Sequence, residues 1–209
     1  MDYINYLGSV LFSLFIVVGP IDNGAIFGFL TRNYTFKDRN KTALKACMVA
    51  GVILLTFPLV GQKILLLLNI EFFALKIAGG ILLLLLAIQI VLGESADEDA
   101  LDSKHRNKDI AIFPLAIPLI AGPAAMTKTV DMFNDAPSVV HQIGFLAMVA
   151  AIITISYLLF LLGGTLVRLV GPKGADALAR TLGIVLAAMS IDMIIVGLKT
   201  SGLLGKFLG

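Results

Sequence analysis

Two glycine–proline pairs, Gly19-Pro20 and Gly122-Pro123, lie 103 residues apart, and each interrupts a long apolar stretch. Proline removes a backbone donor and glycine adopts dihedrals that other residues avoid, so each pair predicts a break in a helix. In a membrane, the freed backbone groups are tolerated only where protein or a watery cavity satisfies them. Two matched breaks, one in each half of a chain, are the pattern expected at the substrate site of a transporter.

The residues around the two breaks offer backbone and small polar groups to a ligand. A half-helix that restarts near Asp22 or Asn23 would expose unpaired N–H groups, which attract a carboxylate. The small residues of the second break favour a small solute. The alternative for the first break is a proline kink that neighbouring helices fill, with no ligand. The predicted substrate-binding residues are Gly19, Pro20, Ile21, Asp22, Asn23, Gly24, Gly122, Pro123, Ala124, Ala125, Met126 and Thr127.

The two breaks are expected to face each other across a cavity. Gly122→Leu is therefore expected to fill that space and abolish substrate binding while the protein stays folded.

Two acidic residues inside apolar stretches, Asp22 and Asp192, are candidates for ion coupling. A charge near the bilayer centre is costly and is therefore treated as functional by default. The alternative for Asp192 is an interfacial or helix–helix hydrogen-bonding group. We expect Asp22 to matter more than Asp192. A shift of 103 residues aligns Asp192 with Gln89, and Gln89 is expected near the outer end of the third apolar stretch. Any ion coupling is expected to use protons rather than sodium.

Other charged residues receive structural interpretations. Lys76 is expected to extend towards a lipid headgroup. Lys128 and Asp131, one helical turn apart, are expected to pair with each other.

The composition is that of a membrane protein. The chain of 209 residues is 58% hydrophobic and 14% charged, against about 25% charged in average soluble chains. Six apolar stretches come near the ~20 residues that a spanning helix needs. They are Leu7–Thr31, Ala43–Leu68, Phe72–Gly93, Ile110–Val130, Val139–Val170 and Leu178–Leu204.

These stretches predict an all-α polytopic fold of six transmembrane helices in two inverted three-helix repeats, with spans 1 and 4 broken at Gly-Pro. The first repeat is 1–93, the second is 110–209, and a polar linker at 94–109 joins them. A shift of 103 residues also aligns Gly61 with Gly164 and Gly80 with Gly183. Three spans per half is an odd number, so the second half must cross the membrane in the opposite direction.

The basic residues predict the orientation. Eleven of the sixteen Lys and Arg fall on the side that receives the linker. Basic connections are cytoplasmic, so both termini are expected outside and the linker inside a bacterial or archaeal cytoplasmic membrane.

Several function classes are disfavoured. Cys47 is the single cysteine and there are two histidines, so neither a metal site nor a cofactor is predicted. A net charge of +2 gives no reason to propose nucleic acid as a partner. No G-x-S-x-G or H-E-x-x-H motif points to catalysis, and both histidines lie in or beside polar connections, so the protein is not expected to be an enzyme.

Four stretches closely resemble the MarC family of bacterial and archaeal inner-membrane proteins. They are GPIDNGAIFGFLT, FALKIAGGILLLLLAIQIVLG, IAIFPLAIPLIAGPAAMTKTV and ALARTLGIVLAAMSIDMIIVGL, similar to the first, third, fourth and sixth spans of that family. The chain departs from the family at Gly19, where Asp or Asn is usual, at Asp22, where Gly is usual, and at Asp192, which is often Gln.

The resemblance implies a secondary transporter of small neutral amino acids such as glycine and alanine, working by alternating access. The carboxylate of the amino acid would bind half-helix amides, and its ammonium would bind freed carbonyls or Asp22. The alternatives are a channel, an exporter of another small metabolite, or a membrane scaffold that transports nothing. The oligomeric state is left open.

Overall fold

The computed structural model describes residues 3–32, 34–92 and 110–202, apart from the side chains of 62, 164–176 and 178–179. The predicted linker at 94–109 lies outside the described residues. The helices are α1 (Tyr3–Val18), α2 (Pro20–Leu30), α3 (Phe36–Thr56), α4 (Gln62–Leu67), α5 (Phe72–Leu92), α6 (Pro123–Asn134) and α7 (Val139–Thr200). A π-helical turn at Phe57–Gly61 joins α3 to α4, and an irregular segment at Ala111–Ile120 precedes α6.

The described part of the chain confirms the prediction of an all-helical membrane protein. Five segments are long and apolar enough to cross a bilayer: Tyr3–Leu30, Phe36–Gly61, Phe72–Leu92, Val139–Gly163 and Arg180–Thr200. A sixth crossing results if Ala111–Ile120 and α6, which meet at a bend of 53°, count as one span.

The helix α7 contains two of these segments and cannot run straight between them. Phe160 stacks on Phe27 of α2, with 4.5 Å between the ring centroids. Leu186 belongs to one small buried cluster with Phe29, also on α2. In a straight helix, residues 160 and 186 would lie ~39 Å apart at ~1.5 Å per residue. The two arms of α7, Val139–Gly163 and Arg180–Thr200, must therefore bend towards α2.

Polar contacts fix the connection between α2 and α3. The Thr35 hydroxyl accepts the backbone N–H of Asp38 at 3.2 Å and so caps the start of α3, as expected for threonine in this position. Arg39 is 3% exposed, and its guanidinium donates to the hydroxyl and the carbonyl oxygen of Thr31 at 3.2 and 3.0 Å. Arg39 thereby satisfies backbone at the end of α2 and links α2 to α3.

The main core is apolar and lies between α1, α3, the segment before α6 and the first arm of α7. Its largest fully buried side chains include Phe27, Leu54, Leu115, Phe145 and Ile152. This core holds the two breaks in place from one side.

Candidate functional site

Both glycine–proline pairs start a helix. Gly19 precedes α2 with φ 57° and ψ 53°, a left-handed conformation that glycine adopts without steric cost. Gly122 precedes α6 with an extended backbone, at φ −75° and ψ 163°. Pro20 and Pro123 are the first helical residues, where the missing N–H costs nothing. The first restart is thus at Pro20, slightly earlier than the expected position near Asp22 or Asn23.

Asn23 connects the two breaks directly. Its side chain is 4% exposed, and its amide nitrogen donates to the carbonyl oxygens of Val18 at 2.7 Å and Leu119 at 3.2 Å. Val18 ends α1, and the α-helical partner of Leu119 would be Pro123, which has no N–H. The two breaks therefore touch through Asn23, and a cavity between them stays a prediction.

A cleft of about 690 Å³ lies beside the second break, between α5, α6 and the second arm of α7. Its volume falls within the ~300–1,000 Å³ range of small-molecule sites. Five predicted site residues line it: Gly122, Ala124, Ala125, Thr127 and Asp192. Pro123 and Met126 are not part of this lining. The predicted residues Gly19, Pro20, Ile21, Asp22, Asn23 and Gly24 are not part of this lining.

Four charged side chains reach the cleft, two of each sign: Lys76, Lys128, Asp131 and Asp192. No ion pair joins any two of them in the described part of the chain. The expected pairing of Lys128 with Asp131 is therefore not formed. The rest of the lining is mainly apolar, such as Leu83 and Met193, and this is the usual composition of a small-ligand site.

The two candidate acids differ in their surroundings. Asp192 lines the cleft, whereas Asp22 lies on an exposed face outside it. The expectation that Asp192 lies near an outer end of its span stays a prediction.

The start of α6 presents unpaired backbone donors to the same cleft. Ala124 and Ala125 occupy the first turn, where N–H groups have no partner within the helix, and no side chain caps this end. Both residues line the cleft. The hydroxyl of Thr127 donates to the carbonyl oxygen of Pro123 at 2.8 Å. The helix end, rather than the threonine, therefore offers donors to a ligand.

Close packing of α5 supports the back of the cleft. A Cβ added to Gly79 would lie 2.9 Å from Pro123 Cγ, and one added to Gly80 would lie 2.8 Å from the Ser190 carbonyl oxygen. These two glycines allow α5 to approach α6 and α7 more closely than any side chain would permit.

Gly122 is constrained by its own backbone. An added Cβ would lie 2.5 Å from the carbonyl oxygen of Pro118, so any larger residue must shift the kink. Gly122→Leu would therefore disturb the span as well as fill space, in contrast to the expectation from sequence.

Apart from Asp192, sequence reasoning missed the parts of the cleft contributed by α5 and α7. The signal was the helical spacing of Ala188, Asp192 and Val196 on one element and of Ala124 and Lys128 on another. Residues four apart lie on one helix face, and both faces line the cleft.

The comparisons with known proteins agree with the resemblance seen in the sequence. The family described as MarC family integral membrane protein matches residues 4–201. A UPF0056 membrane protein of Archaeoglobus fulgidus is 34% identical, over 94% of this chain and 93% of its own. UPF0056 membrane protein YhcE of Escherichia coli is 31% identical, over 89% of this chain and 88% of its own. No solved structure matches the chain.

Proposed function

Because the chain belongs to the MarC family of integral membrane proteins, we propose that it is a secondary transporter of small neutral amino acids, of the glycine and alanine class. The observation that carries this proposal is the cleft, which is lined by two lysines, two aspartates and the first turn of α6. A small zwitterion needs both signs of charge within a short distance. The charged ring of an ion channel carries one sign of charge, whereas this cleft carries both.

Each end of the zwitterion has a partner in the cleft. The ammonium binds the carboxylate of Asp192, and the carboxylate binds the N–H groups of Ala124 and Ala125. Helix starts favour anions because free N–H groups and the helix dipole act together. Lys76 or Lys128 supplies the balancing charge, and charge-assisted hydrogen bonds of this kind are stronger than neutral ones.

The contact between α5 and α7 supports the inverted-repeat arrangement. Gly80 packs against one set of α7 residues, and Gly183 packs against the corresponding set of α5. A shift of 103 residues exchanges the two sets. The exchanged pairs are Gly80 with Gly183, Ala87 with Ser190, and Val91 with Ile194. Reciprocal contacts of this kind are what a two-fold axis between repeats produces.

Helix directions fit the same arrangement. Gly144 packs near Tyr3 and Gly163 near Gly24, so the first arm of α7 runs parallel to the first span. Gly183 packs near Ile90 while Gly197 packs near Phe73, so the second arm runs antiparallel to α5. With the basic connections inside, both termini lie outside, and the repeats rock against each other during transport.

Purified protein in liposomes tests the function. We expect saturable uptake of labelled glycine, competition by alanine and serine, and stimulation by an imposed proton gradient. Conductance without saturation would identify a channel, and transport of an unrelated metabolite would identify a different carrier. The absence of any flux would favour the alternative of a membrane scaffold that transports nothing.

A further inference from the structure

We propose that Asn23 is a positioning residue that holds the inner end of the cleft closed. Leu119, whose carbonyl binds Asn23, lines the cleft, and so does Val17, the neighbour of Val18. The inner end of the cleft, defined by Val17 and Leu119, is thus joined by one side chain. The role of this closure in transport rests on the proposed function, whereas the closure itself does not.

The chemistry of the link is specific to a carboxamide. The amide of Asn23 carries two N–H donors, and both donate to carbonyls that the breaks deprive of helical partners. A carboxylate of the same shape has no donor and would repel both oxygens. A hydroxyl could satisfy one carbonyl at most.

Fully buried residues lie next to the hydrogen bonds of Asn23. Ile120 and Ala121 follow Leu119 directly and are 0% exposed, and Phe27, one helical turn after Asn23, is also 0% exposed. The far end of α2 is bonded to Arg39 of α3. Separation of α2 from Leu119 would therefore uncover the backbone next to Ala121 and expose this residue to water.

This role differs from that of a hydrogen bond that merely stabilises the fold. A structural bond, when lost, loosens the whole protein, whereas a link that holds one end closed exposes the residues beside it. The two cases are distinguished by comparing the water exposure of a buried residue next to the link with that of a buried residue elsewhere.

Thiol labelling measures this difference without any substrate. Ala121→Cys serves as the reporter in a Cys47→Ala background, and Leu54→Cys in the core reports general loosening. We expect Asn23→Asp to accelerate labelling of Ala121→Cys by a water-soluble methanethiosulfonate about tenfold or more, as loss of one to two hydrogen bonds allows. Labelling of Leu54→Cys should stay slow, and Asn23→Ser should give an intermediate rate.

Asn40→Asp is the matched control. The side-chain oxygen of Asn40 accepts a hydrogen bond from the Tyr157 hydroxyl, 117 residues away. An aspartate at position 40 still offers an acceptor to Tyr157, so this variant should not accelerate labelling at either reporter. Unchanged labelling in Asn23→Asp, or equal acceleration at both reporters, would overturn the proposal. If Asn23→Asp gives no monodisperse protein, Asn23→Ser decides by the same comparison. If the wild-type protein transports no glycine, the proposed function is wrong. The labelling result still tests the role of Asn23, because it needs no substrate.

Discussion

The packing of α5 against α7 is tested by Gly80→Ala. The added Cβ would lie 2.8 Å from the carbonyl oxygen of Ser190 and 2.6 Å from Ile194 Cγ1, where ordinary contacts begin at 3.4 Å. The Ser190 carbonyl belongs to the backbone and cannot rotate away. The distance from the added Cβ to this oxygen must therefore grow from 2.8 to 3.4 Å, which moves the two helices apart by about 0.6 Å. Overpacking of this kind costs about 1–3 kcal/mol.

A matched control isolates this cost. Gly8 is also helical, with nothing within 4 Å of an added Cβ, so Gly8→Ala gains only the helix preference of alanine, about 0.5–1 kcal/mol. Gly80→Ala gains the same preference and loses the packing. The two variants should therefore differ by the packing cost alone, which for a chain of this size corresponds to about 2–12 °C in Tm.

The assay is thermal unfolding of the purified variants in one detergent. Gly183→Ala should fall between the two, because its nearest neighbours are the side chains of Val91 and Ile90, at 2.7 and 3.1 Å, which can move. Equal Tm values for Gly80→Ala and Gly8→Ala would refute the close approach of α5 to α7.

Further outcomes follow from the same geometry. Lys128→Gln should weaken glycine affinity about tenfold or more if its charge balances the bound carboxylate, as measured by competition in liposomes, whereas an unaltered affinity would remove it from the site. Arg39→Lys should lower the free energy of unfolding by about 1–3 kcal/mol in denaturant titration, because a lysine cannot reproduce both bonds to Thr31, and an unchanged free energy of unfolding would contradict this. Gly122→Ala should lower Tm as well as glycine uptake, since its Cβ meets the Pro118 carbonyl, and loss of uptake at an unaltered Tm would contradict that steric argument.

The sequence predicted the breaks better than the cleft. Gly19-Pro20 and Gly122-Pro123 carry their structural meaning locally, because glycine tolerates the turn and proline is accepted at a helix start. The cleft depends on how α5 and the second arm of α7 lie beside α6. That placement is set by long-range contacts at Gly79 and Gly80, which no local pattern reveals.

Asn23 illustrates the same limit. The sequence indicated a ligand contact for this residue, which is a local interpretation. The structure joins it to Leu119, 96 residues away, because the two breaks lie side by side in the fold.

The most direct test of the proposed site is glycine counterflow in liposomes with Asp192→Asn and Asp22→Asn measured side by side. Asp192 lines the cleft, and Asp22 lies outside it. The cleft account predicts that Asp192→Asn loses counterflow through weakened glycine binding, by about tenfold or more in affinity, while Asp22→Asn keeps it. Wild-type counterflow in Asp192→Asn together with its loss in Asp22→Asn would contradict the account and return the substrate to the first break.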